Sequence, residues 1–510
     1  MKKSIFSILF LTSHILFAQE SSEIYIHQNL GENINSKATE LTPRISADGK
    51  MMFYVRDGHP DNKNLQDIWH SEKDSAGHWM PAQRADDNIN QLPANCVWSV
   101  NADGNSLLIR GAYDNGKYVG KGFSLTRMTK AGWTDPQMLV IQDLAKVNLG
   151  ENDGAYLSID GNAIIFTMCD KKKCTLYDLF VSTKKEDGTF TRPIKLGTTV
   201  NTPDFNEFAP FLAADNKTLY FSSDRPGGMG MTDVYKTERL NDTSWLSWSA
   251  PVNMGPHVNT ASKDAYYVTD AKGEYAYMVS DLNSIGSADI IYFKLKEENK
   301  PKPVALYDGK VYNGKTKELI KDATIEYKIY PDESEEGVAH TDHETGQYKI
   351  ILPFGHSYSI DVFAPGFVPD YDTISVGDKN EYVEISRDYY LVPIEVGQSI
   401  KLNHIYFETS KYDLLSDSYY ELDKVVKLLH ENPLMKIEIE GHTDNAGNPE
   451  KNQVLSLNRA TAVMNYIVSK GIAQDRITAK GFGMTRPIVG NDTPENRQLN
   501  RRVEFTILQM

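Results

Sequence analysis

Basic residues are in the minority in this chain of 510 residues, which contains 54 Lys and Arg against 69 Asp and Glu and has a formal net charge of −15 at pH 7. Proteins that bind nucleic acid present clustered Lys and Arg to its phosphates, so this balance argues against a nucleic-acid partner. Beyond the N-terminus, no run approaches the roughly 18 apolar residues of a membrane-spanning helix. Single cores stop growing near roughly 250 to 300 residues, which predicts several domains.

The N-terminus has the features of a secretory signal peptide. Lys2 and Lys3 precede an apolar stretch from Ile5 to Phe17, and Ala18-Gln19 provides a cleavage point. We therefore expect a signal peptide at residues 1–18 and an exported mature protein. No cysteine follows Ala18, so the lipid attachment of a bacterial lipoprotein is not expected.

Cysteine is rare, with 3 residues in the chain. Cys169 and Cys174 flank the sequence DKKK, a spacing that a hairpin disulfide can close in an oxidising compartment. Two free thiols are the alternative, whereas a zinc site lacks a second Cys/His pair nearby. Cys96 is expected to be a lone buried thiol.

Five segments in the first 300 residues follow one pattern: apolar positions, then Asp with a nearby Gly or Asn, then a run rich in β-forming residues. Two of them read RISADGKMMFYV and AYLSIDGNAIIF. Successive copies lie 55 or 57 residues apart when they are aligned on Asp48, Asp103, Asp160, Asp215 and Asp270. A step that constant marks an internal repeat.

Each repeat predicts four strands. After the shared aspartate, a second Asp opens a third strand at Asp67, Asp178, Asp233 and Asp289. The second repeat departs from this pattern, with Gly122-Phe123 at that place. An aromatic residue and a proline then precede a fourth strand, as in Trp133 with Pro136. Four strands joined by tight turns are what one propeller blade requires.

The fifth repeat lacks its fourth strand, and the N-terminus offers a matching segment. IHQNLGENINS, near residue 30, resembles IKLGTTVNT and VNMGPHVNT at the corresponding place in later repeats. We therefore predict that residues 19–298 form a five-bladed β-propeller closed by its N-terminal strand. The copies resemble the WD40-like PD40 repeats of periplasmic proteins such as TolB. A β-sandwich with accidental periodicity is the alternative.

The repeats offer little catalytic chemistry. Their recurring Asp, Ser and Gly residues, as in SSDRPGGMGMTD, occur where turns and strand ends need them. We therefore expect a binding face rather than a hydrolase, with Trp69, Trp98 and Trp245 among the aromatic anchors for a protein partner. The alternative for each tryptophan is a place in the core.

A charged, proline-interrupted linker precedes a second β-rich segment at residues 304–394. Its short strands, the Pro353-Phe354-Gly355 corner and Ala364-Pro365-Gly366-Phe367 resemble the carboxypeptidase-regulatory-like domain, which implies a small prealbumin-like β-sandwich. No HExxH motif accompanies it, so no peptidase activity follows. His340 and His343 stand on a polar turn, where we expect exposure to solvent rather than a metal.

Residues 395–510 predict alternating strands and helices. SDSYYELDKVVKLLHEN predicts a helix with Ser416 as its N-cap and an apolar face formed by Leu422, Val425, Val426 and Leu429. MKIEIEG predicts a strand, NQVLSLNRATAVMNYIVSKG a helix stopped by Gly471, and RITAKGFGMTRPIVGN with NRRVEFTIL further strand. The order β-α-β-α-β predicts a split βαβ α/β domain.

The stretch EIEGHTDNAG places His442-Thr443-Asp444 at the end of a strand. No Ser or Cys nucleophile follows in a strained turn and no second metal-ligand pair is present, which argues against catalysis or a metal. Asn452, Ser456 and Arg459 fall at i, i+4 and i+7 of the next helix, a polar stripe that can face the Asp444 loop. A carboxylate close to a guanidinium matches a zwitterion, with Asp444 binding its ammonium and Arg459 its carboxylate.

The C-terminal segment resembles the OmpA-like domain of peptidoglycan-associated lipoproteins and flagellar stator proteins, through GHTDNAGNPEKNQVLSLNRATAVMNYIVSKGI, RITAKGFGMTRPIVGN and NRRVEF. The resemblance covers about Leu402 to Leu508. In that family an Asp and an Arg hold the amino and carboxylate groups of the D-centre of meso-diaminopimelate in peptidoglycan. This implies Asp444 and Arg459 here, with Asn452 and Thr443 at supporting positions and no cofactor.

The alternative for Asp444 and Arg459 is a salt bridge that only braces the fold, although such surface pairs contribute only about 0 to 1 kcal/mol. Two further arginines, Arg501 and Arg502, follow near the C-terminus. We expect both on the last strand, with one bracing the loops and the other in solvent.

The predicted fold is thus multidomain: propeller, sandwich and OmpA-like α/β domain. This order resembles PorE-type subunits of the type IX secretion system, whose tetratricopeptide repeats and lipid anchor are not seen here. The resemblance implies a non-enzymatic protein of the periplasm, associated with the outer membrane, that anchors an assembly to peptidoglycan while its propeller binds an envelope protein. A TolB-like envelope-integrity factor, or an accessory domain of a glycan- or peptide-processing enzyme, is the alternative.

Overall fold

The computed structural model describes residues 26–241, 243–331, 336–403, 405–408 and 411–510. The predicted signal peptide at residues 1–18 lies outside them. The described chain is mostly strand, in many small sheets, with few helices. It divides into a repeat region that ends near Asn299, a middle β domain and a C-terminal α/β domain.

The described part of the repeat region contains five antiparallel sheets, and in the first four of them the main strands follow one another in sequence order. Sheet 1 consists of Thr39–Ile45, Met51–Asp57, Gln66–Glu72 and Gln83–Arg84, and sheet 2 of Val97–Val100, Ser106–Asp114, Lys117–Thr129 and Gln137–Met138, with Gly132–Trp133 alongside. Sheet 3 consists of Gly154–Leu157, Ala163–Met168, Asp178–Thr183 and Ile194–Lys195. Sheet 4 consists of Glu207–Leu212, Thr218–Ser223, Asp233–Glu238 and Val252–Asn253, and sheet 5 of Asp264–Thr269, Tyr275–Ser280, Asp289–Lys294 and Gln28–Asn29.

The fourth strand of sheet 5 comes from the N-terminal end of the region. Gln28–Asn29 pairs antiparallel with Asp289–Lys294, the exchange that the sequence predicts. Asn35 fixes the exchanged segment, because its side chain accepts a hydrogen bond from the Ile290 nitrogen at 2.9 Å and donates one to the Ile290 carbonyl at 2.8 Å. Matching pairs of bonds join Asn90 to Ile68, Asn201 to Leu179 and Asn259 to Val234.

The five sheets contact one another in cyclic order. The first strand of each sheet lies against the next sheet, and sheet 5 lies against sheet 1. Buried side chains of sheets 1, 3, 4 and 5 form one core, to which Tyr54, Ile165, Phe211 and Tyr267 belong. Every sheet of the region therefore has two neighbouring sheets.

Each sheet has two ends, because consecutive strands run in opposite directions. The turns that hold the five shared aspartates join first and second strands, and we call this side the turn end. The connections between second and third strands, at residues 58–65, 115–116, 169–177, 224–232 and 281–288, form the opposite side, the loop end.

The middle domain contains two sheets. One consists of Gln347–Pro353, Val304–Asn313, Tyr389–Pro393 and Phe367–Val368, with Val383–Ser386 alongside; the other consists of Glu336–His340, Thr324–Tyr330, His356–Phe363 and Asp370–Val376. Buried side chains of both sheets, among them Tyr307, Ile325, Ile350 and Ile360, share one core. Two sheets around one core are the arrangement of a β-sandwich.

The middle domain packs on the turn end of the repeat region. The Lys349 ammonium lies 2.7 Å from the Asp48 carboxylate, and the Lys302 backbone nitrogen donates to Asp215 at 2.9 Å. Beside these bonds one apolar cluster combines residues of both domains: Ala47, Ala102, Ala271, Val304, Leu306 and Ile351. Together with Asp103, which accepts from the His340 nitrogen, three of the shared aspartates thus bind the middle domain or the linker before it, a role beyond the turn formation expected from the sequence.

The expectation that His340 and His343 face solvent is wrong. His340 ends the strand Glu336–His340, and its backbone nitrogen donates to Asp103 of the repeat region at 3.2 Å. Burial lowers the pKa of His340 to about 4. The side chain of His343 is 23% exposed. The cause for His340 is contact with a distant segment, which local polarity does not reveal.

The predicted tryptophan anchors belong to the interior. Trp69 and Trp98 are buried, and Trp245 is half-buried against the core. Arginine side chains cover two of these rings: Arg56 lies 4.3 Å from the Trp69 ring and Arg239 lies 4.1 Å from the Trp245 ring. The alternative reading of these residues, as core, is the one that the structure supports.

The cysteines lie in sheets 2 and 3 or beside them. Cys96 is buried, as expected, and burial raises the pKa of its thiol to about 11. The Sγ atoms of Cys169 and Cys174 lie 2.11 Å apart, which is the arrangement of a disulfide across the DKKK turn.

The C-terminal domain contains one sheet, with strand order Ser399–Leu402, Val503–Gln509, Lys436–His442 and Ile477–Gly483. Its helices are Tyr419–Glu431, Pro449–Ser469 and Pro494–Asn500. The predicted apolar face of the first helix is buried. Two short helical turns of this domain are Ser416–Ser418 and Gln474–Arg476, and those of the repeat region are Asp87–Ile89, Leu144–Val147 and Glu297–Asn299. Within the described residues, no helix has the length and apolar character needed to cross a membrane.

Two details of this domain differ from the sequence prediction. Ser416 does not cap the first helix, because it opens a short helical turn and the helix begins at Tyr419. The segment Pro494–Asn500, which lies between the two predicted strand segments, is a helix that the sequence analysis did not predict. Thr493 caps it by accepting a hydrogen bond from the Asn496 nitrogen at 3.1 Å. A capping threonine followed by proline is a helix-start signal that could have predicted this helix from the sequence.

Candidate ligand-binding cleft

A cleft of about 530 Å³ opens in the C-terminal domain beside the loop that follows Lys436–His442. The structure brings together the four residues singled out in the sequence, because Thr443, Asp444, Asn452 and Arg459 all line this cleft. Further lining residues are Ile405, Phe407, Leu455, Gln498, Arg501 and Arg502.

Hydrogen bonds hold the Asp444 loop in place. The Thr443 nitrogen donates to the Gly483 carbonyl at 2.8 Å, which extends the pairing of the strand. The Ala446 nitrogen donates to Asp444 Oδ1 at 3.0 Å, and the Asn452 side chain donates to the Ala446 carbonyl at 2.9 Å. Asp444 therefore keeps a fixed orientation, and its Oδ2 atom faces the cations of the cleft.

Arg501, and not Arg459, forms the ion pair with Asp444, with 2.5 Å between Nη1 and Oδ2. The sheet register explains this pairing. Gly441 pairs with Val503 of the antiparallel strand Val503–Gln509. Residue 443, just after one strand, therefore lies opposite residue 501, just before the other. The alternative reading, an Asp444–Arg459 salt bridge that braces the fold, is therefore wrong. The sequence did not reveal Asp444 as the partner of Arg501, because the pairing of Val503–Gln509 with Lys436–His442 is not a local property.

Arg502 does not face solvent, contrary to expectation. It is buried, and its Nε lies 2.5 Å from a Glu504 carboxylate oxygen. Both arginines also precede the last strand, which begins at Val503. The expectation that one arginine braces a loop agrees with the position of Arg501.

Arg459 lines the cleft from the helix Pro449–Ser469. Its Nε donates to the Lys411 carbonyl at 3.0 Å, and its guanidinium lies 4.8 Å from the Phe407 ring. Burial lowers the pKa of Arg459, the neighbouring Arg501 lowers it further, and Asp444 raises it. The two Nη groups of Arg459 make no hydrogen bond to the described residues, so they are available to an anionic ligand group.

Ser456 departs from the predicted polar stripe. Its hydroxyl accepts a hydrogen bond from the Gly483 nitrogen at 2.9 Å, so the side chain faces the sheet and not the cleft. The helix lies very close to the sheet here, because a Cβ atom on Gly441 would stand 2.1 Å from the Ser456 carbonyl oxygen. Glycine at residue 441 permits this approach. The contact fixes the helix that presents Asn452 and Arg459.

His442 is buried beneath the cleft. Its ring stacks on Phe482 with 5.5 Å between centroids, and neither nitrogen has a hydrogen-bond partner in the described chain. Glu440 and Glu504 approach its Nε2 atom at 3.8 and 3.7 Å. Both carboxylates already pair with arginines, Arg486 and Arg502, so we do not assign a metal to this group.

We predict that acid weakens the C-terminal domain through His442. Burial and the nearby Arg502 lower the pKa of His442 from 6.5 to about 4, so the folded state binds fewer protons than the unfolded state. The contribution of neutral His442 to the free energy of unfolding is then fully present above pH 6.5. It declines as the pH falls toward about 4, by about 3 kcal/mol in total.

The test is urea unfolding at neutral pH and at about pH 5. His442→Phe keeps a ring on Phe482 and should remove this part of the pH dependence, whereas an alanine at the exposed His430 should not. An unchanged pH dependence in His442→Phe would contradict the assignment.

Residues 406–501 match the OmpA family. A segment of 130 residues is 38% identical to photosystem I P700 chlorophyll a apoprotein A2 from Gloeobacter violaceus, over 24% of this chain and 15% of that protein. Outer membrane porin F from Pseudomonas fluorescens is 37% identical over 20% of this chain and 31% of its own length. The peptidoglycan-binding protein ArfA from Mycobacterium tuberculosis is 39% identical over 20% of this chain and 32% of its own length.

The chain spans less than a third of these relatives, between 15% and 32% of their lengths. Among solved structures, the peptidoglycan-associated lipoprotein from Burkholderia pseudomallei is similar, with 24% identity over 22% of this chain and 89% of that chain and a TM-score of 0.19. The family match lies within the C-terminal domain and does not extend to the repeat region or the middle domain.

Proposed function

We propose that the C-terminal domain binds peptidoglycan at the D-centre of meso-diaminopimelate and so anchors the protein to the cell wall, in the periplasm and at the outer membrane. The observation that carries the proposal is the presence of one carboxylate and two guanidiniums, Asp444, Arg459 and Arg501, in one cleft. The OmpA family match, a peptidoglycan-binding relative and an outer-membrane relative support it.

The chemistry of the cleft suits a zwitterion. The ligand ammonium pairs with Asp444 Oδ2, in the position where Arg501 Nη1 lies in the structure. The ligand carboxylate binds the open Nη groups of Arg459, whose planar fork matches two carboxylate oxygens. Phe407 and the Lys411 carbonyl hold Arg459 in place, and Asn452 holds the Asp444 loop.

Sedimentation with intact cell walls tests this proposal. The purified chain without residues 1–18 should pellet with peptidoglycan that contains meso-diaminopimelate and stay in solution with peptidoglycan that contains lysine. Lysine lacks the second carboxylate, so Arg459 would have no anionic partner. Equal recovery in the two pellets, or no recovery in either, would contradict the proposal.

We further propose that the five sheets form a five-bladed β-propeller of the PD40 type, with the middle domain as a prealbumin-like spacer. The cyclic contacts between sheets and the strand supplied by the N-terminus support this architecture. The order of domains, as in PorE-type subunits, makes a type IX secretion machine our candidate for the anchored assembly.

The loop end is our proposed surface for a protein partner. The middle domain packs on the turn end, which leaves the loop end as the opposite face. All five sheets expose a large apolar side chain in the loop end or next to it, with exposed fractions of 38% to 64%: Leu65, Val119, Leu176, Met231 and Ile285. Apolar groups gathered on one face indicate a site of protein association.

Crosslinking in intact envelopes tests this surface. Leu65→Glu with Met231→Glu should remove the proteins that crosslink to the chain, because two charges would be buried at the contact. Leu240→Glu is the matched control, since Leu240 is 66% exposed but lies toward the turn end. Replacement of residues 395–510 by an unrelated peptidoglycan-binding module should leave the partners unchanged. Loss of every partner in that exchange would place the protein contacts in the C-terminal domain.

A further inference from the structure

A second cavity, of about 310 Å³, lies between the first strands of the five sheets, and we call it the central cavity. Each first strand contributes to its wall, and the five contributions include Arg44, Trp98, Ala155, Phe208 and Tyr266. Its lining also includes Gln66 and Tyr177, which lie at the loop end. The central cavity therefore opens on the side away from the middle domain.

Arg44 is buried in this wall without an acidic partner. Only 2% of it is exposed, and its Nε and Nη1 donate to the Trp98 and Pro43 carbonyls at 2.5 and 3.0 Å. Its Nη2 makes no hydrogen bond to the described residues. Burial lowers the pKa of Arg44, and the groups that raise it again are a thiol and two phenols rather than a carboxylate. A buried charge without a counter-ion destabilises the folded protein, so we expect an anionic group to bind beside Arg44.

Three other arginines of the region, the buried Arg56 and the half-buried Arg225 and Arg110, do have counter-ions. Arg56 lies 3.3 Å from Glu40, and Arg225 lies 2.9 Å from Glu207. Arg110, which also lines the central cavity, lies 3.3 Å from Asp153. Arg44 differs from these three arginines because no carboxylate of the described chain lies beside it.

Two more hydrogen-bond donors in the lining are unused. Trp98 Nε1 and Thr167 Oγ1 are buried and have no hydrogen-bond partner in the described chain. Both residues line the central cavity. The lining also contains one open acceptor, Asp153 Oδ1, whose charge Arg110 balances at 3.3 Å. Buried donors normally have partners, so three open donors beside this balanced pair indicate a ligand that provides acceptors.

The backbone around the central cavity is strained. Thr42, Ala209 and Tyr266 have φ of 47°, 49° and 58°, in the left-handed region that such residues rarely adopt. Each lies at an irregularity in the pairing between the first and second strands of its own sheet, in sheets 1, 4 and 5. Strain of this kind is concentrated at binding sites, and these three residues line the cavity.

We propose that the central cavity binds an organic carboxylate, with Arg44 as its counter-ion and with Trp98 and Thr167 as further donors. The carboxylate belongs either to a small free acid or to a peptide segment that enters from the loop end. Aromatic lining residues, Trp98, Tyr177, Phe208 and Tyr266, provide apolar contact for the rest of the ligand. This proposal is independent of the cell-wall site, which lies in another domain.

Calorimetric titration of the chain without residues 1–18 tests the proposal with paired probes. N-acetyl-phenylalanine should bind, and its uncharged amide should not. The blocked tripeptide acetyl-Ala-Ala-Phe, as acid and as amide, distinguishes the sources: tighter binding of the peptide acid indicates a peptide, and tighter binding of the amino acid indicates a small free acid. Equal binding of acid and amide, or no binding of either acid, would overturn the proposal, and this result needs no mutated protein.

Arg44→Met provides the second arm. It should weaken binding of the acid about tenfold or more, because a charged hydrogen bond is lost. It should lower the melting temperature of the free protein less than the control does, because removal of an unpaired charge offsets the loss of the hydrogen bonds to the Trp98 and Pro43 carbonyls. Arg225→Met is the matched control and should lower the melting temperature by leaving Glu207 unpaired, while binding is unchanged. Normal binding in Arg44→Met, or a loss of stability equal to that of the control, would contradict the proposal.

Discussion

Asp444→Asn should abolish sedimentation with diaminopimelate-type peptidoglycan while the protein remains folded. The amide removes the charge that pairs with the ligand ammonium and leaves the shape of the side chain unchanged. Loss of one partner from a hydrogen-bonded charge pair costs about 2 to 5 kcal/mol, or at least about 30-fold in affinity. The stability cost should stay near 1 kcal/mol, because Arg501 in the internal pair is 39% exposed.

A matched substitution separates binding from a general change in charge. Asp423→Asn removes a carboxylate of the same domain that pairs with Lys470 at 3.0 Å, outside the cleft, and should leave sedimentation unchanged. Arg459→Lys should bind poorly, since a point charge cannot replace the bidentate fork. Retained sedimentation in both Asp444→Asn and Arg459→Lys would refute recognition of a zwitterion by these residues.

A chain that lacks residues 19–40 should unfold more readily, beginning at sheet 5. The deletion removes the strand Gln28–Asn29, the buried Ile34 and both hydrogen bonds of Asn35 to Ile290. It also removes the start of the first strand of sheet 1 with Glu40, the counter-ion of Arg56, which adds to the loss. Loss of one buried aliphatic side chain and two buried hydrogen bonds costs about 3 to 5 kcal/mol. Limited proteolysis should then cut first near Asp289–Lys294, and the melting temperature should fall.

Single substitutions test the same exchange without deletion. Asn35→Ala and Asn201→Ala each remove two bonds to a third strand, one set in the exchanged sheet and the other in a continuous sheet. If the N-terminal strand stabilises sheet 5 as the other fourth strands stabilise theirs, the free energy of unfolding should fall by a similar amount in both variants, about 2 to 3 kcal/mol. A truncated chain that melts and digests like the intact one would show that the exchanged strand contributes nothing to the region.

The repeat region was predictable because its signals are periodic and local. The spacing of Asp48 and its four counterparts places the turns, and the aromatic-proline pairs precede the fourth strands that begin at Gln83, Gln137, Ile194 and Val252. Even the exchanged strand was visible, since the Asn-containing segment near residue 35 has the same sequence pattern as its counterparts. Each of these signals acts within one repeat.

The failed predictions depend on contacts between distant segments. His340 looked exposed from its neighbours, yet the turn end of the repeat region covers it. One of Arg501 and Arg502 was expected to brace a loop, but the link of Arg501 to Asp444 depends on which strands are adjacent and in what register. The donors of the central cavity come from separate repeats, so no single segment of the sequence predicts that they lie together. Local polarity is a poor guide where a second domain or a distant strand provides the partner.

The most direct measurement of the central claim is calorimetric binding of soluble peptidoglycan stem tripeptides to the chain without residues 1–18. One tripeptide carries meso-diaminopimelate, and the other carries lysine at the same position and therefore lacks the carboxylate of the D-centre. Recognition through Asp444 and Arg459 predicts binding of the diaminopimelate peptide at least about tenfold tighter, since a charged bidentate contact contributes about 1.5 kcal/mol or more. Equal affinity for the two tripeptides would contradict the account.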